Sequence, residues 1–257
     1  MSEALLVHFY DADGDHFSPT RLATGPWDKR LQSGVALAGL VAHLAETHPA
    51  PVPMGIARLV IDLMKPTPMG PISARISEPR SGKRLQLIEI ELLHEGEVTL
   101  KASALRVRIG ECPASEHASY AEPASDLTTF SGRSLYRHIV ESRLESGGLD
   151  QIGPGVTWMR FFGEIVRGVP ISPMVQLAMA ADCGSGLSAY VDWREWTFAN
   201  VDISLHLTRE PRGPWVRVAA RTDSAGNGIA VVDATLSDLD GDIGHAHQTL
   251  FLDRSRK

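Results

Sequence analysis

A chain of 257 residues with 43% apolar side chains, two cysteines and a formal charge of −6 has material for real hydrophobic cores. It lacks the basic stripe that nucleic-acid binding requires, an apolar run long enough to span a bilayer, and the cysteine density of a disulfide-stapled secreted fold. The opening "MSEALLVHFYDADGDH" has no basic region and turns acidic within a dozen residues, so the expectation is a protein of a reducing cytoplasm, neither secreted nor membrane-anchored.

In chain order, a strand-like opening around Phe17 and the turn Gly25-Pro26-Trp27 precede "SGVALAGLVAHLAE". Leu37, Leu40, Val41 and Leu44 fall at i, i+3, i+4 and i+7, and the opposite side is also small and apolar. That pattern predicts a helix buried nearly all round, with Ser33 as its N-cap. Four strand-like runs follow, "ARLVIDLMKP", "ISARISEP", "RLQLIEIELLHEG" and "EVTLKASALRVR", separated by turn signals at Met69-Gly70-Pro71, Ser81-Gly82 and Glu95-Gly96. The order is strand, helix, then an antiparallel meander. Residues 110–132, rich in Pro, Ser, Ala and acids, read as a linker between units at 1–109 and 133–257.

After the linker the order recurs. "RHIVESRLES" and "VTWMRFFGEIV" read as strands, and "SPMVQLAMAAD" as a helix capped by Ser172 with Pro173 in its first turn. The runs "FANVDISLHLTREP", "WVRVAARTDS", "IAVVDATLSDLDG" and "DIGHAHQTLFL" then repeat the meander. Gly70-Pro71 faces Gly213-Pro214, Glu95-Gly96 faces Asp240-Gly241 and Ala102 faces Ala246, at spacings of 143 to 145 residues. Such an ordered series marks an internal duplication. An apolar helix needs a wrapping, which a curved antiparallel sheet supplies. Two such units side by side continue one sheet and place sites where the halves meet.

This layout resembles that of tandem hotdog proteins. The blocks "GPWDKRLQSGVALAGL", "RLVIDLMKPTPMGP", "SGKRLQLIEIEL", "TWMRF", "FANVDISLHLTREPRGPWV" and "GHAHQTLFL" resemble those of the type II acyl-CoA thioesterase family, over roughly residues 16–108 and 137–252. The resemblance implies an α+β double hotdog, each unit an antiparallel sheet around a long central helix. It implies hydrolysis of fatty acyl-CoA to free acid and coenzyme A, with no cofactor and no metal. The family uses an Asp, a Thr or Ser, and a Gln of the second unit to orient a water. These positions fall on Asp202, on Thr222 with Ser224 as the alternative two residues on, and on Gln248. Hotdog sheets often associate further, so the resemblance also implies a homodimer or larger. The chain departs from the family at the first helix, where Gln32-Ser33-Gly34 stands in place of a His-Gly-Gly type of turn.

The duplication supplies an internal control. Shifted by 144 residues, Asp202 faces Arg58, Thr222 faces Glu78 and Gln248 faces Ala104, so the scaffold is repeated while these side chains are not. Gln248 shares a strand face with Gly244, Ala246, Leu250 and Leu252, which predicts a buried amide in need of partners. In "NVDISLHL", Val201, Ile203, Leu205 and Leu207 alternate with Asp202, Ser204 and His206, so a solvated polar face is the structural alternative for Asp202. A carboxylate that takes a proton from water, with a hydroxyl and an amide holding that water, suits thioester hydrolysis. The oxyanion needs separate donors, for which backbone N–H groups near the second helix or Gly184 are candidates.

Other readings rest on fewer residues. Asp202 and His206 hint at the Asp and His pair of a hotdog enoyl-CoA hydratase or dehydratase, and a non-catalytic acyl-CoA-binding protein uses the same scaffold. His206, His245 and His247 have no Cys or carboxylate at ligand spacing to complete a metal site. Arg80, Lys83 and Arg84, or Arg209 and Arg212, are candidates for coenzyme A phosphates. Trp158, Trp193, Trp196 and Trp215 bias the second half toward large apolar surface.

Overall fold

The first hairpin, β1 (His8–Asp13) and β2 (His16–Pro19), turns at Gly14, whose φ of 61° favours glycine. Helix α1 (Gly34–Thr47) follows, with Ser33 Oγ accepting from the Ala36 N–H at 3.2 Å, the expected N-cap bond. Its buried side chains run from Val35 to Ala45 on all sides of the axis. The meander β3 (Met54–Asp62), β4 (Ile72–Ser81), β5 (Leu85–His94) and β6 (Glu97–Arg108) wraps it. This computed structural model describes residues 6–115, 118–127 and 139–255. Residues 116–117 and 128–132 of the expected linker, and 137–138 of the strand expected after it, lie outside the described residues.

The second half comprises β7 (Val140–Ser146), β8 (Gly155–Phe161), β9 (Glu164–Val166), β10 (Val169–Pro170), α2 (Pro173–Asp182) and α3 (Gly184–Leu187). Then come β11 (Trp196–Asn200), β12 (Asp202–Leu207), β13 (Val216–Ser224), β14 (Ile229–Asp238) and β15 (Gly241–Arg254). Ser172 caps α2 through the Val175 N–H at 3.1 Å. Part of the linker docks on this half. The Tyr120 N–H donates to Leu239 O at 2.9 Å, and the Tyr120 ring meets Trp158 edge-on at 5.8 Å.

All strands join one sheet in the order β10-β9-β1-β2-β4-β5-β6-β3-β12-β15-β14-β13-β8-β7, with β11 also on β15. This is a double hotdog. The halves meet at the antiparallel pair β3–β12, from Asp202↔Asp62 to His206↔Arg58, and at the parallel pair β1–β9. Between them α1 and α2 run antiparallel, each with its N-terminus met by a carboxylate from the other: Asp182 on Val35 N–H, and Glu46 on Ser172 Oγ at 2.8 Å. Gly39 sits at their crossing, where a Cβ would come within 2.9 Å of Met179 Cγ.

The ladders prove the duplication in register. Adding 144 to both members carries Ile88↔Ala104 onto Val232↔Gln248, and Ile76↔Ile90 onto Ala220↔Ala234. Two expectations need correction. "VTWMRFFGEIV" is not one strand; it divides into β8 and β9, because Gly163 packs on Val7 O where a Cβ would lie 2.5 Å away and β9 pairs with the other half. "FANVDISLHLTREP" breaks at Val201, which is 41% exposed. The same shift places this break opposite the β3 irregularity between Ile56 and Arg58, so both halves kink at one place and the strict alternation fails there. Helix α3, only four residues long, leaves no periodic pattern in the sequence. Among the described residues no helix is long and apolar enough to cross a membrane.

Candidate active site

Asp202 opens β12 at the kink. On one side Asn200 pairs with Leu250, on the other Ser204 pairs with His247, and the ladder between them is irregular. The Val201 N–H bonds Thr249 O at 2.9 Å, and Asp202 Oδ1 accepts the Thr249 N–H at 2.6 Å. The carboxylate thus completes a broken ladder. Its second oxygen has no hydrogen bond among the described residues.

Gln248 is 1% exposed and points at the end of α2. Its Nε2 donates to Ala181 O at 2.9 Å and Asp182 O at 3.0 Å, which orients the amide, since a carbonyl can only accept. Its Oε1 is buried without a partner. Gly184 lies beside that oxygen, where a Cβ would be 3.2 Å away. Thr222 shares a row with Gln248 across the sheet, through Thr222↔Val232 and Val232↔Gln248. Its hydroxyl lies 2.7 Å from Ser188 Oγ, and Ser188 spends its own proton on Gly184 O at 2.9 Å. Thr222 is therefore the donor in that pair, and its lone pairs remain available.

The fold brings Thr222 and Gln248 onto one inner row facing Gly184, with Asp202 on the adjoining strand beside Thr249, the residue after Gln248. The three side chains share no hydrogen bond with one another; Asp202 is turned to the Thr249 N–H. In this arrangement all three offer acceptors only, so they can hold the hydrogens of a water but cannot stabilise an oxyanion. Ser224 is a turn former, donating to Ile229 O at 2.5 Å and accepting from the Gly226 N–H at 3.1 Å.

Two residues at this place carry no motif. Asp182, the last residue of α2, receives the Asn200 Nδ2 at 2.7 Å and the Val35 N–H. Burial pushes its carboxyl up to about 6 against the lowering effect of Asn200 and Val35, since desolvation disfavours the charged form. The adjacent Cys183 thiol is pushed up by burial and then by Asp182, so it is a poor nucleophile. Asn200 Oδ1, like Gln248 Oε1, is buried without a partner. In the Gln32-Ser33-Gly34 turn at the first helix, Gly34 keeps the last glycine of the His-Gly-Gly pattern. A Cβ there would lie 2.3 Å from Asp182 Oδ1, so a glycine is required for the carboxylate to reach the helix.

In the equivalent place of the first half an arginine stands at the end of the helix. Arg106, 3% exposed, donates to Ala45 O, to His48 O at 2.7 Å and to Gln86 Oε1 at 3.1 Å. Gln86 donates in turn to Glu78 at 3.0 Å, and the Glu78 carboxyl is held down at about 2 by Gln86 and His48. One cleft, lined by Glu46, Arg106 and Glu210 among others, opens at the opposite end of the helix pair, and another lies at His206 and His245; Asp202, Thr222 and Gln248 line neither. Of the basic candidates, Arg209 is committed to Asp238 in a two-bond fork at 2.7 and 2.6 Å, while Arg80, Lys83 and Arg84 are exposed. Trp158 and Trp215 are core residues at 2% and 3% exposure.

Two domain models match this sequence, the acyl-CoA thioesterase N-terminal domain over residues 23–107 and the acyl-CoA thioesterase C-terminal domain over residues 114–252. The chain belongs to the acyl-CoA thioesterase family. Solved structures of the same fold include a hot dog-fold protein of unknown function from Alicyclobacillus acidocaldarius, 16% identical, with a TM-score of 0.73 and 96% of each chain covered. They also include an acyl-CoA thioesterase II from Mycobacterium marinum, 14% identical, with a TM-score of 0.70, covering 95% of this chain and 94% of that one. Among curated proteins none matches this acyl-CoA thioesterase family member in sequence.

Proposed function

We propose that the protein hydrolyses acyl-CoA thioesters to free acid and coenzyme A, with a water held in the second half by Asp202, Thr222 and Gln248. The observation that carries this reading is Gln248 Oε1, an acceptor buried without a donor beside the side-chain-free Gly184. A buried polar atom of this kind calls for a water or a ligand. The thioester carbonyl carbon receives the water oxygen, which keeps one hydrogen, hydrogen-bonded to Gln248 Oε1. The other passes to the second oxygen of Asp202, whose Oδ1 is already fixed by the Thr249 N–H at 2.6 Å. Collapse of the tetrahedral species breaks the C–S bond and expels the thiolate, which regains the proton from Asp202. A thiolate leaves readily, so neither a covalent nucleophile nor a metal is needed.

Thiol release from a panel of acyl-CoA substrates tests the reading. Turnover by the wild type is expected, with Asp202→Asn lowering kcat about 10²–10⁴-fold, the usual range for a lost general base, and Gln248→Ala lowering it about 10²-fold through loss of water orientation. Hydration of an enoyl-CoA without thiol release would replace the reading with the dehydratase one. Ligand-induced melting shifts without any turnover would replace it with acyl-CoA binding.

A further inference from the structure

Asn200 and Gln248 converge on one residue, Asp182. The Asn200 amide nitrogen lies 2.7 Å from Asp182 Oδ1 and 3.4 Å from Asp182 O, and the Gln248 nitrogen lies 3.0 Å from the same Asp182 O. Both nitrogens are therefore spent, on groups that only accept, and both amide oxygens are turned away and left without a donor. The two side chains are neighbours. Asn200 pairs with Leu250, and Gln248 is two residues along β15 on the same inner face, a diagonal offset that long side chains can bridge. Two buried acceptors on neighbouring side chains, each lacking a donor, can be satisfied together by one water that donates to both.

We infer that Asn200 is a further member of the water site, its amide oxygen and that of Gln248 holding the resting water between them, and that Asp182 is the positioning residue that turns both amides oxygen-outward. The inference rests on the hydrolase reading for its role in turnover, and on the amide geometry alone for the water. Asn200 and Asp202 stand two residues apart at the kink. The same hydrogen of the water rests on the Asn200 oxygen in the ground state and moves to the Asp202 carboxylate as the C–O bond forms. The Asp182 carboxylate also accepts the Val35 N–H at the start of α1, so the orientation of the Asn200 amide depends on the first half being docked. Protonation of Asp182 gives it an O–H donor, lets the Asn200 amide turn over, and removes one acceptor from the water. Next to Asp182 in the chain lies the Cys183 thiol, whose proton burial and the Asp182 charge both hold in place.

The test has a structural arm and a kinetic arm. A high-resolution crystal structure of the wild type is expected to show a water on both Asn200 Oδ1 and Gln248 Oε1; amide oxygens bonded to protein donors, with no shared water, would overturn the inference whatever the enzyme's turnover. In the kinetic arm Asn200→Ala is expected to lower kcat about tenfold to a hundredfold with KM within about threefold. Asp182→Asn is expected to abolish the acidic limb of the wild-type kcat profile near pH 6. The exchange Asp182→Asn with Asn200→Asp keeps one carboxylate and one amide facing each other, so it should fold and recover most of the loss. Full kcat and an unchanged acidic limb in the folded single variants would sink it. A wild type that releases no thiol would instead defeat the hydrolase reading, leaving the crystallographic arm to decide the water site.

Discussion

Asp182 sits between opposing demands. Its place at the start of α1 favours a negative charge, through the Val35 N–H and the helix dipole, yet enclosure between two helices and a sheet removes water from the carboxylate. Burial wins, and the carboxyl rises from 3.8 to about 6. The sign for stability follows from linkage. Between those two values the folded state holds the proton more tightly than the unfolded chain, so this group makes unfolding easier as pH rises from about 4 to about 6, and the penalty is constant above. The full shift corresponds to at most on the order of 3 kcal/mol, reduced by the solvent contact that Asp182 retains. Urea titrations of wild type and Asp182→Asn across that range should therefore diverge, the variant gaining relative stability up to about pH 6 and neither gaining nor losing beyond. Parallel curves would mean the carboxylate is fully solvated. At this scale the sequence was only half readable. Gln248 could be assigned to the interior because its strand neighbours are small or aliphatic. Asp182 and Asn200 could not, because what distinguishes them is a contact between the end of one helix, the start of another and a strand kink, none of which leaves a local pattern.

Helix α1 shows how one missing side chain supports the site. Gly34 has an ordinary backbone conformation, so its requirement is space: a Cβ would meet Asp182 Oδ1 at 2.3 Å. Gly34→Ala must push the carboxylate off the helix, and overpacking of this kind costs about 1–3 kcal/mol. If the clash with Asp182 is the cause, the cost should largely vanish in an Asp182→Ala background, and a double-mutant cycle on unfolding free energy measures this coupling. An additive cycle would place the strain elsewhere. The elements were the most legible level, since both N-caps, the all-round burial of α1 and the meanders followed from period and turn residues. The kink at Val201 was not, because a period-two run continues through it in the sequence. The break becomes visible only when Asn200 and Ile203 are both seen facing inward, which requires an extra residue between them.

The duplicated register explains why the described residues hold one set of unsatisfied amides and not two. Both halves keep the same ladders, but in the first Ile56 and Ala104 stand where the second has Asn200 and Gln248, and the buried Arg106, where the second has Leu250, fills the end of α1; in the second half Gln248 Oε1 stays free. The duplication was readable from turn residues at a constant spacing; the parallel β1–β9 pair, which crosses from one half to the other, was not, since β9 is three residues long. This exchange has an energetic consequence. The first half alone would expose the β3 edge and the α1 face around Gly39 that packs on Met179 and Ile165, leaving unpaired backbone groups and apolar surface in water. The full chain is therefore expected to unfold in one urea transition, with a 1–109 fragment showing no cooperative transition of its own. Tryptophan fluorescence makes the comparison decisive, because Trp158, Trp193, Trp196 and Trp215 lie in the second half and only Trp27 in the first. If the halves were independent, fluorescence would follow the second half while far-UV ellipticity reported both, and the two curves would separate; coincident curves are the outcome required by a sheet and a helix pair that run through both halves.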